Sequence, residues 1–149
     1  MGELNRVVAR FLDGRVMKGT TEDFLPNRPR FHLRPTGSTQ TETIECRALK
    51  AVFFVRDFAG NAERKDIPGF GHLPVEGNQG KKISVQFRDG EVISGYTLAY
   101  TRERDGFFVV PADPGSNNER VYVLKHAAQK ILVGPQAEAF ENNRDADAA

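Results

Sequence analysis

Cys46 is the only cysteine in this chain of 149 residues, so no disulfide can form within it, and a reducing compartment suits it best. Asn-x-Ser/Thr sequons are also lacking, as is any run of 18 apolar residues that could cross a membrane. The opening MGELNRVVARF has neither the charged n-region nor the apolar h-region of a secretory signal, and a cytoplasmic protein is expected. Histidines are few and scattered at His32, His72 and His126, so no zinc-ligand spacing exists. Gly69 and Gly71 begin a dinucleotide fingerprint that fails at Pro74. Gly80-Lys81 begins a phosphate loop that fails at Val75 and Lys82. With no nucleophile–base pattern, no metal set and no cofactor motif, the expected role is non-catalytic.

Charge is short too. The formal net charge is +1, with 21 Lys+Arg against 20 Asp+Glu. Residues 1–60 hold ten cations against seven carboxylates, residues 81–134 eight against six, and the tail 135–149 one against four. No segment is a polybasic stripe of the kind that advertises nucleic acid on its own.

What the chain does have is a repeat. Laid over 83–111 without gaps, residues 7–35 match at nine of 29 positions, where unrelated stretches match at about two. The matches include Phe11/Phe87, Asp13/Asp89, Gly14/Gly90, Gly19/Gly95, Phe31/Phe107 and Pro35/Pro111. After a two-residue insertion, Arg47-Ala48-Leu49 falls on Lys125-His126-Ala127. The spacing predicts a tandem duplication of a unit of about 50 residues.

Each unit reads as β. Val7, Ala9 and Phe11, like Ile83, Val85 and Phe87, alternate with polar positions, the period of a half-buried strand. Both runs enter Asp-Gly, a strong hairpin signal. Second strands follow at 15–24 and 91–100, bent at Gly19 and Gly95, then strands at 31–35 and 107–111, each ended by proline. Fourth strands are expected near 43–46 and 120–124, and fifth strands at 51–56 and 130–133 after a short turn. The expected fold is mainly all-β: two tandem five-stranded small barrels packed together, at 1–56 and 81–134. A Gly/Pro-rich linker (57–80) joins them and an acidic, disordered tail (135–149) ends the chain.

The stretch ISVQFRDGEVISGYTLAY, with its apolar strand, Asp-Gly and downstream glycine, resembles the first half of an Sm-like repeat. The segments built on FRDG, GFFVVPAD and NNERVYV are similar to those of bacterial proteins of unassigned function. The Sm-like resemblance implies a bent barrel and, as one reading, RNA binding through an Asp…Asn pair in one loop and an Arg-Gly in another. The corresponding loops here are Pro26-Asn27-Arg28 and Arg102-Glu103-Arg104-Asp105, with no Arg-Gly after the fourth strand. Arg28, Arg30, Arg34, Arg102 and Arg104 are then the candidate phosphate contacts.

The other reading is a protein-interaction or regulatory module, with a protein partner or self-association. Phe107-Phe108-Val109-Val110 is apolar on both faces and needs something over its outer side. The barrels, or two chains, are therefore expected to meet through Phe108, Val110 and residues 52–55, the alternative being a single continuous core with no separable halves. Asp113-Pro114-Gly115-Ser116 is turn chemistry, while Asn117, Asn118 and Arg120 could offer donors to a partner. Arg6 and Arg10 reproduce only half of a cyclic-dinucleotide-binding PilZ signature and fit a solvated strand face.

Overall fold

A computed structural model describes residues 4–58, 80–97, 100–101, 103–113 and 115–148, the last seven of these as backbone only. The first half contains β1 (Asn5–Phe11), β2 (Val16–Thr21), β3 (Arg30–Pro35), β4 (Glu42–Glu45), a 3-10 turn at Cys46–Ala48 and β5 (Leu49–Val55). The second contains β6 (Lys81–Phe87), β7 (Val92–Thr97), β8 (Gly106–Pro111), β9 (Asn118–Leu124), a 3-10 turn at Lys125–Ala127 and β10 (Ala128–Val133). A helix, α1 (Pro135–Ala148), follows. The linker expectation falls almost wholly on 59–79, outside the described residues. None of the described helices is long and apolar enough to cross a membrane.

Local chemistry explains the hairpins. Gly14 and Gly90 sit at φ +93° and +96°, and the residues after them close the loop by accepting the Phe11 and Phe87 amides. The aspartates do not share the positive φ. Asp13 and Asp89 instead accept the amides of Arg15 and Glu91 at 3.0 Å. This is a three-residue loop with glycine alone in the left-handed region. The second strand of the first half ends at Thr21, short of the expected residue 24, and that of the second half is described to Thr97, with residues 98 and 99 outside the described residues.

The expectation of two closed barrels is corrected. The strands form one open, antiparallel, ten-stranded sheet in the order β10-β6-β7-β8-β9-β5-β1-β2-β3-β4. Closing each five-strand set would require β4 to pair with β5 and β9 with β10. Instead β9 pairs with β5 and welds the sets together. The reason lies in β5, LKAVFFV, which is buried at every residue and so needs cover on both faces. Val52 and Phe54 enter a first core with Val7, Phe31 and Leu33, and Tyr122 and Leu124 of β9 join it. Ala51, Phe53 and Val55 enter the second core with Val85, Phe107 and Val121. Each core borrows from the other half.

The pairing of the first half repeats in the second. Val7↔Gly19 answers to Ile83↔Gly95, Gly19↔Pro35 to Gly95↔Pro111, and Phe31↔Ile44 to Phe107↔Val123. The offset is 76 through the third strands and 79 from the fourth strands onward, so the second half gains three residues, not two. Cys46–Ala48, rather than 47–49, stands opposite Lys125–Ala127.

The tail carries α1. Ala137 is fully buried against Tyr96 and Leu132, Glu138 pairs with Lys82, and buried Glu141 accepts the Ser94 hydroxyl. These anchors order a segment whose composition suggests none.

Candidate functional site

The seam is the antiparallel joint Ala51↔Val123, Val52↔Tyr122, Phe53↔Val121, Phe54↔Arg120. The candidates read from sequence gather along it, mostly in structural roles. Phe108 is half-buried against Phe54 and Tyr122, with ring centroids at 5.8 and 5.1 Å, and Phe24 stands 6.1 Å away. The Arg120 guanidinium lies over Phe54 and Phe108 at 4.4 and 4.8 Å, a cation–π clamp between the halves. Val110 is 47% exposed.

Asn117 and Asn118 answer as turn and lock. The Asn117 side chain donates to the Asp57 carbonyl at 2.8 Å and accepts the Asp57 amide at 3.1 Å, while its own carbonyl accepts the Arg56 amide at 2.9 Å. The Asn118 amide donates to Ser116 Oγ at 3.1 Å. The loop therefore ties the second half to the end of β5. Asn117→Ala is expected to lose about 1–2 kcal/mol in urea unfolding, from two side-chain hydrogen bonds of about 1 kcal/mol net each.

A cleft of about 560 Å³ opens at one end of the seam. Asn27, Arg28, Arg30, Glu45, Cys46 and Arg47 line it from the first half, and Asp105, Tyr122, Lys125 and His126 from the second. Its lip is set by Asn27, at φ +68°, whose amide donates to the Tyr122 hydroxyl at 3.2 Å. Asn tolerates that left-handed conformation better than other non-glycine residues. Burial raises the Tyr122 hydroxyl above its ordinary range, so it stays protonated. The loop behind it is pinned by Asp23, which takes the His32 amide at 2.9 Å and pairs with His32 Nδ1 at 2.6 Å. Burial pushes the Asp23 carboxyl up, but these hydrogen bonds outweigh it and hold the group below its usual value.

Four cations (Arg28, Arg30, Arg47, Lys125) face two carboxylates in this cleft. Glu45 is engaged by Arg30 at 3.2 Å. Arg28 and Arg47 make no hydrogen bond or ion pair among the described residues. Lys125 Nζ stands 5.3 Å from the Tyr100 ring centre. His126 Nε2 lies 2.6 Å from the Leu49 carbonyl, so that nitrogen carries the proton and donates across the seam. The Cys46 thiol is pushed up to about 11, chiefly by burial, and is an apolar filler at neutral pH. The arrangement can bind an anion.

Of the arginines read from sequence, Arg28 and Arg30 reach the cleft. Arg104 is exposed and near enough to act on Tyr122, Arg34 lines a separate hollow with Glu22 and Asp23, and Arg102 lies outside the described residues. Arg47, Tyr122, Lys125 and His126 had no signal of their own. The matched turns after the fourth strands were visible, but not that the seam would bring them together. Arg6 donates to the Arg56 carbonyl at 3.3 Å and Arg10 stacks 5.4 Å from Phe53, both structural.

Neither the curated proteins nor the solved structures include a match to this chain. The family of unknown function DUF6982 matches residues 3–134, and the chain belongs to that family.

Proposed function

We propose that the chain is a non-catalytic binding module of two duplicated Sm-like units, working in the cytoplasm, whose seam cleft takes a phosphate-bearing ligand. Single-stranded RNA is the polymer that fits. One observation carries the reading: Arg28 and Arg47, without counter-ions among the described residues, meet Lys125 in one cleft between the units. The repeated pairing pattern supports the duplication, and the loop containing Asn27 and Arg28 is one of the two to which the Sm-like resemblance assigns RNA. Cations without partners keep their whole charge for a ligand phosphate, and a guanidinium can grip it through two hydrogen bonds. The alternative, a protein partner docked on Phe108, has less support, because that ring is already packed against Phe54 and Tyr122.

Fluorescence anisotropy with a labelled single-stranded oligoribonucleotide tests the proposal. Affinity should fall linearly on logarithmic axes as salt rises. Arg28→Ala with Arg47→Ala should weaken binding about tenfold or more at low salt, since each charged contact contributes on the order of 1.5 kcal/mol. Absence of binding at low salt, or equal affinity in the double variant, overturns it.

A further inference from the structure

We propose that His126 is a pH-dependent contact of the seam cleft, which holds its phosphate ligand more tightly as the imidazole takes up a proton. The inference rests on the ligand reading above and deepens it, for it names what regulates that site. Its first support is the duplication. The turns Cys46–Ala48 and Lys125–Ala127 are counterparts, which places His126 at the position that Arg47 holds in the first half. Both residues line the one cleft. One half thus presents a permanent cation there, and the other a group whose charge follows pH.

The second support is the ring's hydrogen bond. His126 Nε2 lies 2.6 Å from the carbonyl of Leu49, two residues beyond Arg47. A carbonyl can only accept, so Nε2 carries a hydrogen in the neutral ring as in the charged one. The proton taken up in acid therefore goes to Nδ1, and the ring gains its charge without releasing the seam. Once formed, the Nδ1–H group is a charge-assisted donor suited to a phosphate oxygen.

The charged neighbours belong to other classes of side chain. Arg47 faces the ring from the first turn, Arg28 and Arg30 from the start of β3, and Lys125 from its own turn. Glu45 of β4 and Asp105, next to β8, supply the carboxylates. Arg88 of the hairpin between β6 and β7 donates to the His126 carbonyl at 3.0 Å. The Tyr122 hydroxyl and the Cys46 thiol, both raised by burial, are neutral at physiological pH. Carboxylates as a class titrate near pH 4 and lysine and arginine above about pH 10, so imidazole is the group that changes between about pH 6 and 8.

Fluorescence anisotropy with rhodamine-labelled oligouridylate bearing hydroxyl ends tests this, because neither its bases nor its backbone titrates in that interval. In low salt the parent should bind about five- to tenfold more tightly at about pH 6 than at about pH 8, the scale of one added charged contact. The logarithmic salt slope should steepen by up to about 0.7, the mark of one more phosphate contact on a single strand. A merely structural histidine would not move that slope. His126→Gln, whose amide can still donate to Leu49, should bind at both pH values as the parent does at the higher. His126→Arg should bind at both as the parent does at the lower, and this gain guards against a folding defect. Equal affinity of the parent at both pH values, an unchanged salt slope, or pH dependence that survives in His126→Gln overturns the proposal and leaves the ligand reading standing. Absence of binding at either pH in low salt overturns the ligand reading, and the proposal with it.

Discussion

Gly95→Val is expected to leave the second half unable to reach its native packing, with a stability loss of about 4 kcal/mol or more in urea or thermal unfolding. A Cβ at Gly95 would stand 2.0 Å from the Val110 carbonyl oxygen, 2.8 Å from its carbon and 2.9 Å from Val109 Cγ1. Two of those atoms are backbone, which cannot swing aside as a flexible side chain can. Gly95 lies in the contact of β7 with β8, where Gly95 pairs with Pro111 and Tyr96 with Val110. Gly19 repeats the situation, with the Arg34 oxygen at 2.2 Å and Leu33 Cδ2 at 2.6 Å. Alanine at either position should cost about 3 kcal/mol, since its methyl already meets the carbonyl. Gly14 and Gly90 provide the contrast. Nothing lies within 4 Å of a Cβ there, so alanine should cost only the left-handed strain of about 1–2 kcal/mol. If Gly95→Ala stayed within about 1 kcal/mol of the parent, this account of the bend would be wrong.

These glycines were legible in the sequence because their cause is local. A strand running into Asp-Gly, then a glycine five residues on, specifies a turn and a bend without knowledge of anything distant. The same holds for the alternation of Val7, Ala9 and Phe11, all of which are buried. Phe53 and Phe54 could be seen to need cover on both faces, but alternation does not name the strand that covers them. The answer, β9, is more than 60 residues away and supplies Tyr122 and Leu124 to the first core. A closed barrel satisfies the same strand pattern as the open sheet, and only the β5–β9 pairing tells them apart. The insertion was misplaced by one residue because identity fades between 112 and 128, where turn residues replace one another freely. In the tail, the residues that anchor α1, Ala137, Glu138 and Glu141, look like any others in an acidic segment. The cleft was half legible: Arg28 and Arg30 share one loop, whereas Arg47 and Lys125 meet only across the seam.

Lys50→Glu should cost about 2–3 kcal/mol at neutral pH, below the scale for a fully buried charge pair because both partner carboxylates are half-exposed. Lys50 is 8% exposed, although it lies on β5 among apolar residues. Its ammonium stands 2.7 Å from Asp89, pairs also with Glu91, and lies 4.6 Å from the Phe87 ring centre. Both carboxylates sit on the hairpin between β6 and β7, so one lysine of the first half holds a turn of the second. The counterpart of Asp89, Asp13, pairs instead with its neighbour Arg15 in open solvent, a contact of little consequence for stability. The Lys50 hydrogen bond, followed by that of the Glu91 amide, holds the Asp89 carboxyl below its usual value. A depressed folded-state value stabilises above the unfolded one and fades as pH falls through the folded one, so the parent should lose this contribution only in acid. The variant should behave in the opposite sense. The carboxyl introduced at position 50, buried beside two others, takes up its proton more readily folded than unfolded. Its cost therefore grows as pH rises through the unfolded value of about 4.3 and shrinks below it. Urea unfolding at pH 4 and pH 7 should show the gap between variant and parent narrowing in acid. A gap that stays constant with pH, or one below about 1 kcal/mol at neutral pH, would mean that Lys50 does not join the halves through charge.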